Sequence, residues 1–141
     1  MIRVLVVEDS PTIRELIINA LGLDPALLLA DVAGNGREAV DRVKELRPDL
    51  ITMDIEMPDM DGITATRHIM AQSPTPILIV TSHLNSKHLN VAFEAIKAGA
   101  LDVMGKPNGS DHDEYRRWQE ELIAKIKTLA TVRPQVIPKA D

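Results

Sequence analysis

Val4-Leu5-Val6-Val7-Glu8-Asp9-Ser10-Pro11 is a short apolar run that stops on two carboxylates, a serine suited to cap a helix and a proline suited to its first turn. A run that is apolar at every position, without alternation, fits a strand buried on both faces, as in a parallel sheet covered by helices. Similar runs, interrupted only at Asp31 and Thr52, recur at residues 27–32, 50–53 and 77–80 and, more weakly, at 102–104. Between them the period changes. Ile13, Leu16, Ile17, Ala20 and Leu21 fall at the three/four spacing of one helical stripe, as do Ala39, Val40, Val43 and Leu46. Ile63, Thr66, Ile69 and Met70 make a third stripe, and Leu89, Ala92, Phe93 and Ile96 a fourth. Tyr115, Trp118, Leu122, Ile126 and Leu129 make the longest, and it carries most of the charge pairs. The punctuation agrees: Asn35-Gly36 reads as a turn, Asp61-Gly62 as a helix start and Ala98-Gly99 as a helix end. The expected fold class is α/β, a (βα)5 chain whose right-handed crossovers lie across a five-stranded parallel sheet.

The 141 residues suffice for one domain of ordinary size. One compact domain over residues 1–131 is expected, followed by a linker or disordered tail over 132–141, where two prolines and no helical stripe occur. With 45% hydrophobic and 26% charged residues the composition is that of a folded globule. Aromatic residues make up only 2%, one each of Trp, Tyr and Phe, leaving no ladder of rings for base stacking, and the net charge of −5 argues against a nucleic-acid partner. No cysteine is present, which excludes disulfides, thiolate metal sites and thiol catalysis. No apolar run approaches the ~18 residues of a membrane span and no signal-peptide layout opens the chain, so no membrane partner is expected and the expected address is cytoplasmic.

The chemistry is positional. Glu8 and Asp9 follow the first strand, Asp54 the third, Thr81 and Ser82 the fourth and Lys106 the fifth. In an open α/β sheet, ligands bind beyond the carboxyl ends of the strands, so these residues are expected to converge. Two carboxylates about 4 Å apart repel by roughly 4 kcal/mol at an effective dielectric near 20, so Glu8, Asp9 and Asp54 together call for a cation. An all-oxygen ligand set suits Mg²⁺, with Mn²⁺ as a substitute. A metal, an ammonium and a hydroxyl around a carboxylate describe a phosphoryl pocket in which Asp54 is the nucleophile and an acyl phosphate the product.

Four segments carry a family resemblance: residues 4–10, Met53-Asp54-Ile55-Glu56-Met57-Pro58-Asp59-Met60-Asp61-Gly62, Val80-Thr81-Ser82 and Gly105-Lys106-Pro107. In this order they closely resemble the receiver domain of two-component response regulators, over about residues 1–130. The resemblance implies a flavodoxin-like, doubly wound sheet of strand order 2-1-3-4-5. It implies that Asp54 accepts the phosphoryl group of a histidine kinase, that Asp9 binds Mg²⁺ directly with Glu8 assisting through water, and that the Glu56 carbonyl is a further metal ligand. Thr81 and Lys106 are then the partners of the phosphoryl oxygens, across a Lys106-Pro107 bond usually cis in the family. Val-Glu-Asp-Ser-Pro-Thr at 7–12, Gly-Ala-Leu-Asp-Val-Met at 99–104 and Lys-Pro-Asn-Gly at 106–109 resemble one branch, the receivers that regulate the chemotaxis protein-glutamate methylesterase. That branch implies a chemotaxis-type histidine kinase and a methylesterase output domain. No Gly-x-Ser-x-Gly occurs in this chain, so a regulatory fragment is expected, with a stand-alone receiver acting by protein contact as the alternative.

Three positions are read as modulators. Val103 stands where many receivers carry a Tyr or Phe that swings inward, and valine, stiff at χ1, lacks the reach for such a switch. Any signal is then expected to travel by backbone movement near Thr81 and Ser82. Glu56 and His83 would flank the path of water toward an acyl phosphate and tune its lifetime. Two rival functions fit the residues less well. A dehalogenase-type aspartyl-phosphate hydrolase requires an Asp two residues beyond the nucleophile, where Glu56 stands; a pseudo-receiver docking module does not account for the intact Asp54, Thr81 and Lys106 set.

Overall fold

The computed structural model of the chain describes residues 1–82, 89–107 and 111–134. Ten elements alternate: β1 (Ile2–Val7), α1 (Pro11–Leu21), β2 (Leu27–Ala33), α2 (Gly36–Leu46), β3 (Leu50–Met53), α3 (Gly62–Gln72), β4 (Ile77–Thr81), α4 (Leu89–Ala98), β5 (Asp102–Gly105) and α5 (His112–Leu129). All strand pairs are parallel, in the order β2-β1-β3-β4-β5, as expected. The order reverses between β1 and β3, which opens the crevice at their carboxyl ends.

The apolar strand runs divide by parity, because successive side chains leave a strand on opposite faces. Leu5, Val7, Ile51, Met53, Ile77 and Ile79 meet Ala39 and Val43 of α2, Ala65, Ile69 and Met70 of α3 and Ala95 of α4. Val4, Val6, Leu50, Leu78, Val80 and Met104 meet Ile17, Ala20 and Leu21 of α1 and Trp118, Leu122 and Ile126 of α5. Each fully buried Leu, Ile or Val contributes roughly 1.5–3 kcal/mol, so a core that is aliphatic apart from Trp118 is sufficient. Among the described residues no helix is long and apolar enough to cross a membrane.

The helix starts follow their capping residues. Ser10 Oγ accepts from Ile13 N with Pro11 in the first turn, Asn35 caps α2 through Glu38 N, and Asp61 caps α3 through Thr64 N. Asn35-Gly36 therefore begins a helix, where the dipeptide alone reads as a turn. A larger correction concerns α4. Its buried positions are Ala95 and Ala98, while Phe93 is 65% and Ile96 47% exposed. The sheet side of α4 is filled by alanines and the partly buried Val91, so Phe93 and Ile96 of the expected stripe face outward. A third correction is local: no peptide bond among the described residues is cis, so Lys106–Pro107 is trans, the isomer an X–Pro bond favours by about 0.5–1 kcal/mol.

Candidate functional site

The site forms where β1, β3, β4 and β5 end. The Glu8 amide continues the strand by donating to Ala33 O at 3.0 Å, and Asp54 N donates to Val7 O at 3.0 Å, so the two carboxylates are launched from neighbouring strand ends. Lys106 N donates to Thr81 O at 3.0 Å and is held to β4 in the same way. Glu8 is fully buried and Asp54 only 4% exposed. Lys106 Nζ lies 3.1 Å from Glu8 Oε1 and 3.2 Å from Asp54 Oδ2. Lys106 also donates to Glu8 Oε2 at 3.2 Å, an oxygen that accepts from Ser10 N at 3.1 Å, and Ile55 N donates to Asp54 Oδ1 at 2.8 Å. Asp9 is exposed at the rim, yet one ligand oxygen each from Glu8, Asp9 and Asp54 lie within 4.8 Å of one another.

The electrostatics follow from burial. Removing Glu8 from water pushes its carboxyl up to about 7; the nearby Asp54 charge adds to this, while the Ser10 amide and Lys106 work against it. Burial likewise raises Asp54 above the usual carboxylate range, an effect that Lys106 reduces. Burial opposes the charge on Lys106, but Asp54 and Glu8 outweigh it and the ammonium is held above its ordinary value. Lys106 is thus a permanent cation facing two acids that ionise reluctantly.

The loop that leaves Asp54 is wedged between two helix starts. Gly62 N donates to Ile55 O at 2.8 Å, and a β-carbon at Gly62 would sit 1.8 Å from the Asp54 carbonyl oxygen. Gly36 N donates to Met60 O at 2.9 Å from the other side. Only a residue without a side chain lets α3 start this close to the carboxylate's own backbone. The two glycines of Asn35-Gly36 and Asp61-Gly62 therefore hold the site as well as mark helix ends.

Of the residues singled out from sequence, Glu8, Asp9, Asp54 and Lys106 are brought together, and Thr81, buried at the end of β4, adjoins Lys106 through the backbone. Glu56 and Ser82 are exposed on the loops following β3 and β4. His83 lies outside the described residues. Val103 is half-buried against the α2, α3 and α4 layer, on the sheet face opposite Trp118. Trp118 itself, whose spacing reads only as helix core, donates from Nε1 to Gly105 O at 2.8 Å, directly before Lys106. Nothing in the sequence signals that bond, because it joins a helix to the carbonyl of an edge strand.

A doubly wound five-stranded sheet with an acid cluster and a lysine at its switch point defines a class, and residues 4–114 match the family model described as the response regulator receiver domain. The chain belongs to that family. Within it, the chain is 45% identical over 139 residues to protein-glutamate methylesterase/protein-glutamine glutaminase 2 of Carboxydothermus hydrogenoformans, covering 99% of this chain and 39% of the relative. It is 43% identical over 133 residues to the protein-glutamate methylesterase/protein-glutamine glutaminase of Nitrosospira multiformis, covering 94% and 38%. The solved response regulator domain of Thermotoga maritima CheB superposes with a TM-score of 0.85 at 39% identity, covering 95% of this chain and 99% of that one. The chain spans about two fifths of the length of the curated relatives it matches. The receiver resemblance and its methylesterase branch, read from the motifs, stand.

Proposed function

We propose that this receiver is a phosphorylation-dependent switch in which Asp54 accepts a phosphoryl group from the phosphohistidine of a histidine kinase. The observation that carries the reading is the placement of Lys106 Nζ within 3.2 Å of Asp54 Oδ2 in a buried pocket at the switch point of the sheet. In the transfer an Asp54 carboxylate oxygen forms the new bond to phosphorus as the bond to the donor imidazole nitrogen breaks, and the electron pair leaves with the imidazole. Lys106 is close enough to turn from Asp54 toward a phosphoryl oxygen, and Thr81 supplies a hydroxyl at the end of the adjacent strand.

The donor set fits a hard divalent cation. Once all three carboxylates are ionised, they and one ammonium leave an excess of two negative charges for a cation to offset, and Glu8 Oε1 is buried without a hydrogen-bond partner among the described residues, although Lys106 is near. Asp9, Asp54 and the Glu56 carbonyl would hold Mg²⁺, with Glu8 acting at one remove. When bound, the ion supplies the positive charge that a transferring phosphoryl group requires. In the cytoplasm, the full-length protein would couple this switch to a methylesterase output domain of the kind its relatives are named for, with a chemotaxis-type kinase as phosphoryl source. Glu56 and His83 are proposed to tune the acyl phosphate's lifetime; an unchanged autodephosphorylation rate in Glu56→Ala and His83→Ala would end that part of the reading.

Beryllofluoride, which mimics a phosphoryl group on a carboxylate, tests the site. With Mg²⁺ present, saturable shifts of the Ile55 and Lys106 backbone amide resonances are expected. The same addition to Asp54→Ala is expected to leave them still. Shifts in both proteins, or in neither, would overturn the proposal.

A further inference from the structure

β5 is an edge strand, so one side of it has no ladder partner among the described residues. The peptide unit joining Gly105 to Lys106 has its N–H on the sheet side, where it donates to Thr81 O at 3.0 Å. In a trans peptide the carbonyl points the opposite way, here into the unpartnered edge. An unpaired carbonyl there would cost about as much as a lost hydrogen bond. Trp118 Nε1 fills the vacancy at 2.8 Å. This planar unit is therefore held at both ends, by β4 through Thr81 and by α5 through the indole. It is the unit from which the Lys106 side chain departs.

The indole is in turn fixed. Trp118 is 9% exposed among Leu122, Ile126 and Met104, and its ring stacks on Tyr115 with centroids 6.0 Å apart and planes 11° from parallel. The lysine stem is flexible, and what limits where Nζ can reach is the position of its backbone. Any movement of the β4 end that carries Thr81 tilts the shared peptide and is felt at the indole. Val103, aliphatic and on the other face of the sheet, is not needed for that coupling.

We infer that Trp118 is a positioning residue for Lys106 and the point at which the state of the site is handed to α5. The inference rests on the phosphoacceptor reading of Asp54, and its test separates the two. Trp118 is the only tryptophan of the chain, so uniformly ¹⁵N-labelled protein gives one indole N–H resonance. On titration with beryllofluoride and Mg²⁺, that resonance is expected to move along the same curve as the amides of Ile55 and Lys106. Trp118→Phe keeps an aromatic ring but removes the donor. At a temperature where circular dichroism shows it folded, labelling by acetyl phosphate is expected to slow roughly 2- to 12-fold, the range of one neutral hydrogen bond, with Mg²⁺ affinity unchanged. A purely structural tryptophan would lower the unfolding midpoint and leave the folded protein's rate alone. Moving amides with a still indole, or a folded Trp118→Phe that labels at the wild-type rate, would overturn the inference. If Trp118→Phe does not fold, the wild-type indole titration decides. Silence at Ile55 and Lys106 as well would overturn the inference together with the phosphoacceptor reading.

Discussion

Gly62→Ala puts a single methyl group into the narrowest contact of the site. Its β-carbon would lie 1.8 Å from Asp54 O, 2.8 Å from Asp54 C and 3.0 Å from Ile55 Cα. Non-bonded carbon pairs are comfortable at roughly 3.5–4.0 Å, so α3 and the Asp54–Ile55 backbone must part by more than about 1 Å. All three obstructing atoms are backbone, and no rotamer change relieves them. Overpacking costs typically about 1–3 kcal/mol, and this case belongs at the top of that range. Separation also stretches the bond from Gly62 N to Ile55 O, 2.8 Å long here, a further loss of about 1 kcal/mol. The expected destabilisation is about 3–4 kcal/mol. With a urea dependence of roughly 1–3 kcal/mol per molar, the unfolding midpoint falls by more than about 1 M. Because Asp54 itself is displaced, phosphoryl acceptance by the folded fraction falls too. Gly34→Ala is the control, since its nearest neighbour would be Glu38 Oε2 at 4.0 Å, and it is expected to cost less than about 0.5 kcal/mol. A Gly62→Ala protein less than about 1 kcal/mol destabilised and labelled at the normal rate would refute the reasoning.

Three further outcomes follow from the same geometry. Glu8 ionises near 7 when folded and near 4.5 when unfolded, so the native state holds the extra proton and metal-free stability declines as pH rises through that window, by about 3 kcal/mol at most. Denaturation midpoints at pH 5 and pH 7.5 measure this, and Glu8→Gln is expected to flatten the slope; equal slopes in both proteins would contradict it. Thr52 Oγ1 is buried beside Val6 and Leu78 without a hydrogen-bond partner among the described residues, so Thr52→Val is expected to raise stability by about 1 kcal/mol in urea unfolding, and a loss would be contrary. Phe93→Ser removes a ring that is 65% exposed and is expected to shift stability by less than about 0.5 kcal/mol; a loss of 2 kcal/mol or more, the cost of a core residue, would mean that Phe93 packs inward.

The parallel sheet was legible because residues 4–7, 50–53 and 77–80 are apolar throughout except at Thr52, and each run is followed by a polar residue. That combination is hard to satisfy in any other layer arrangement. The acid cluster and Lys106 were legible for the same reason: strand ends in such a sheet share one edge. Strand order came from the family resemblance, because hydrophobic period carries no information on which strand neighbours which. On α4 the stripe points to the wrong inner face, because helical period identifies an apolar face but not what covers it. Two small residues, Ala95 and Ala98, fill the close approach to the sheet and leave Phe93 and Ile96 outside. Gly62 and Trp118 act through contacts made only after folding, one by having no side chain and one by reaching an edge carbonyl.

Intact mass spectrometry after acetyl phosphate treatment, with and without Mg²⁺, tests the central claim most directly. A single phosphoryl group per chain is expected on the wild-type protein, only when the divalent ion is present, and none on Asp54→Ala. Labelling of Asp54→Ala to the same extent, or a wild-type chain that stays unlabelled with Mg²⁺, would contradict the assignment of Asp54 as the acceptor.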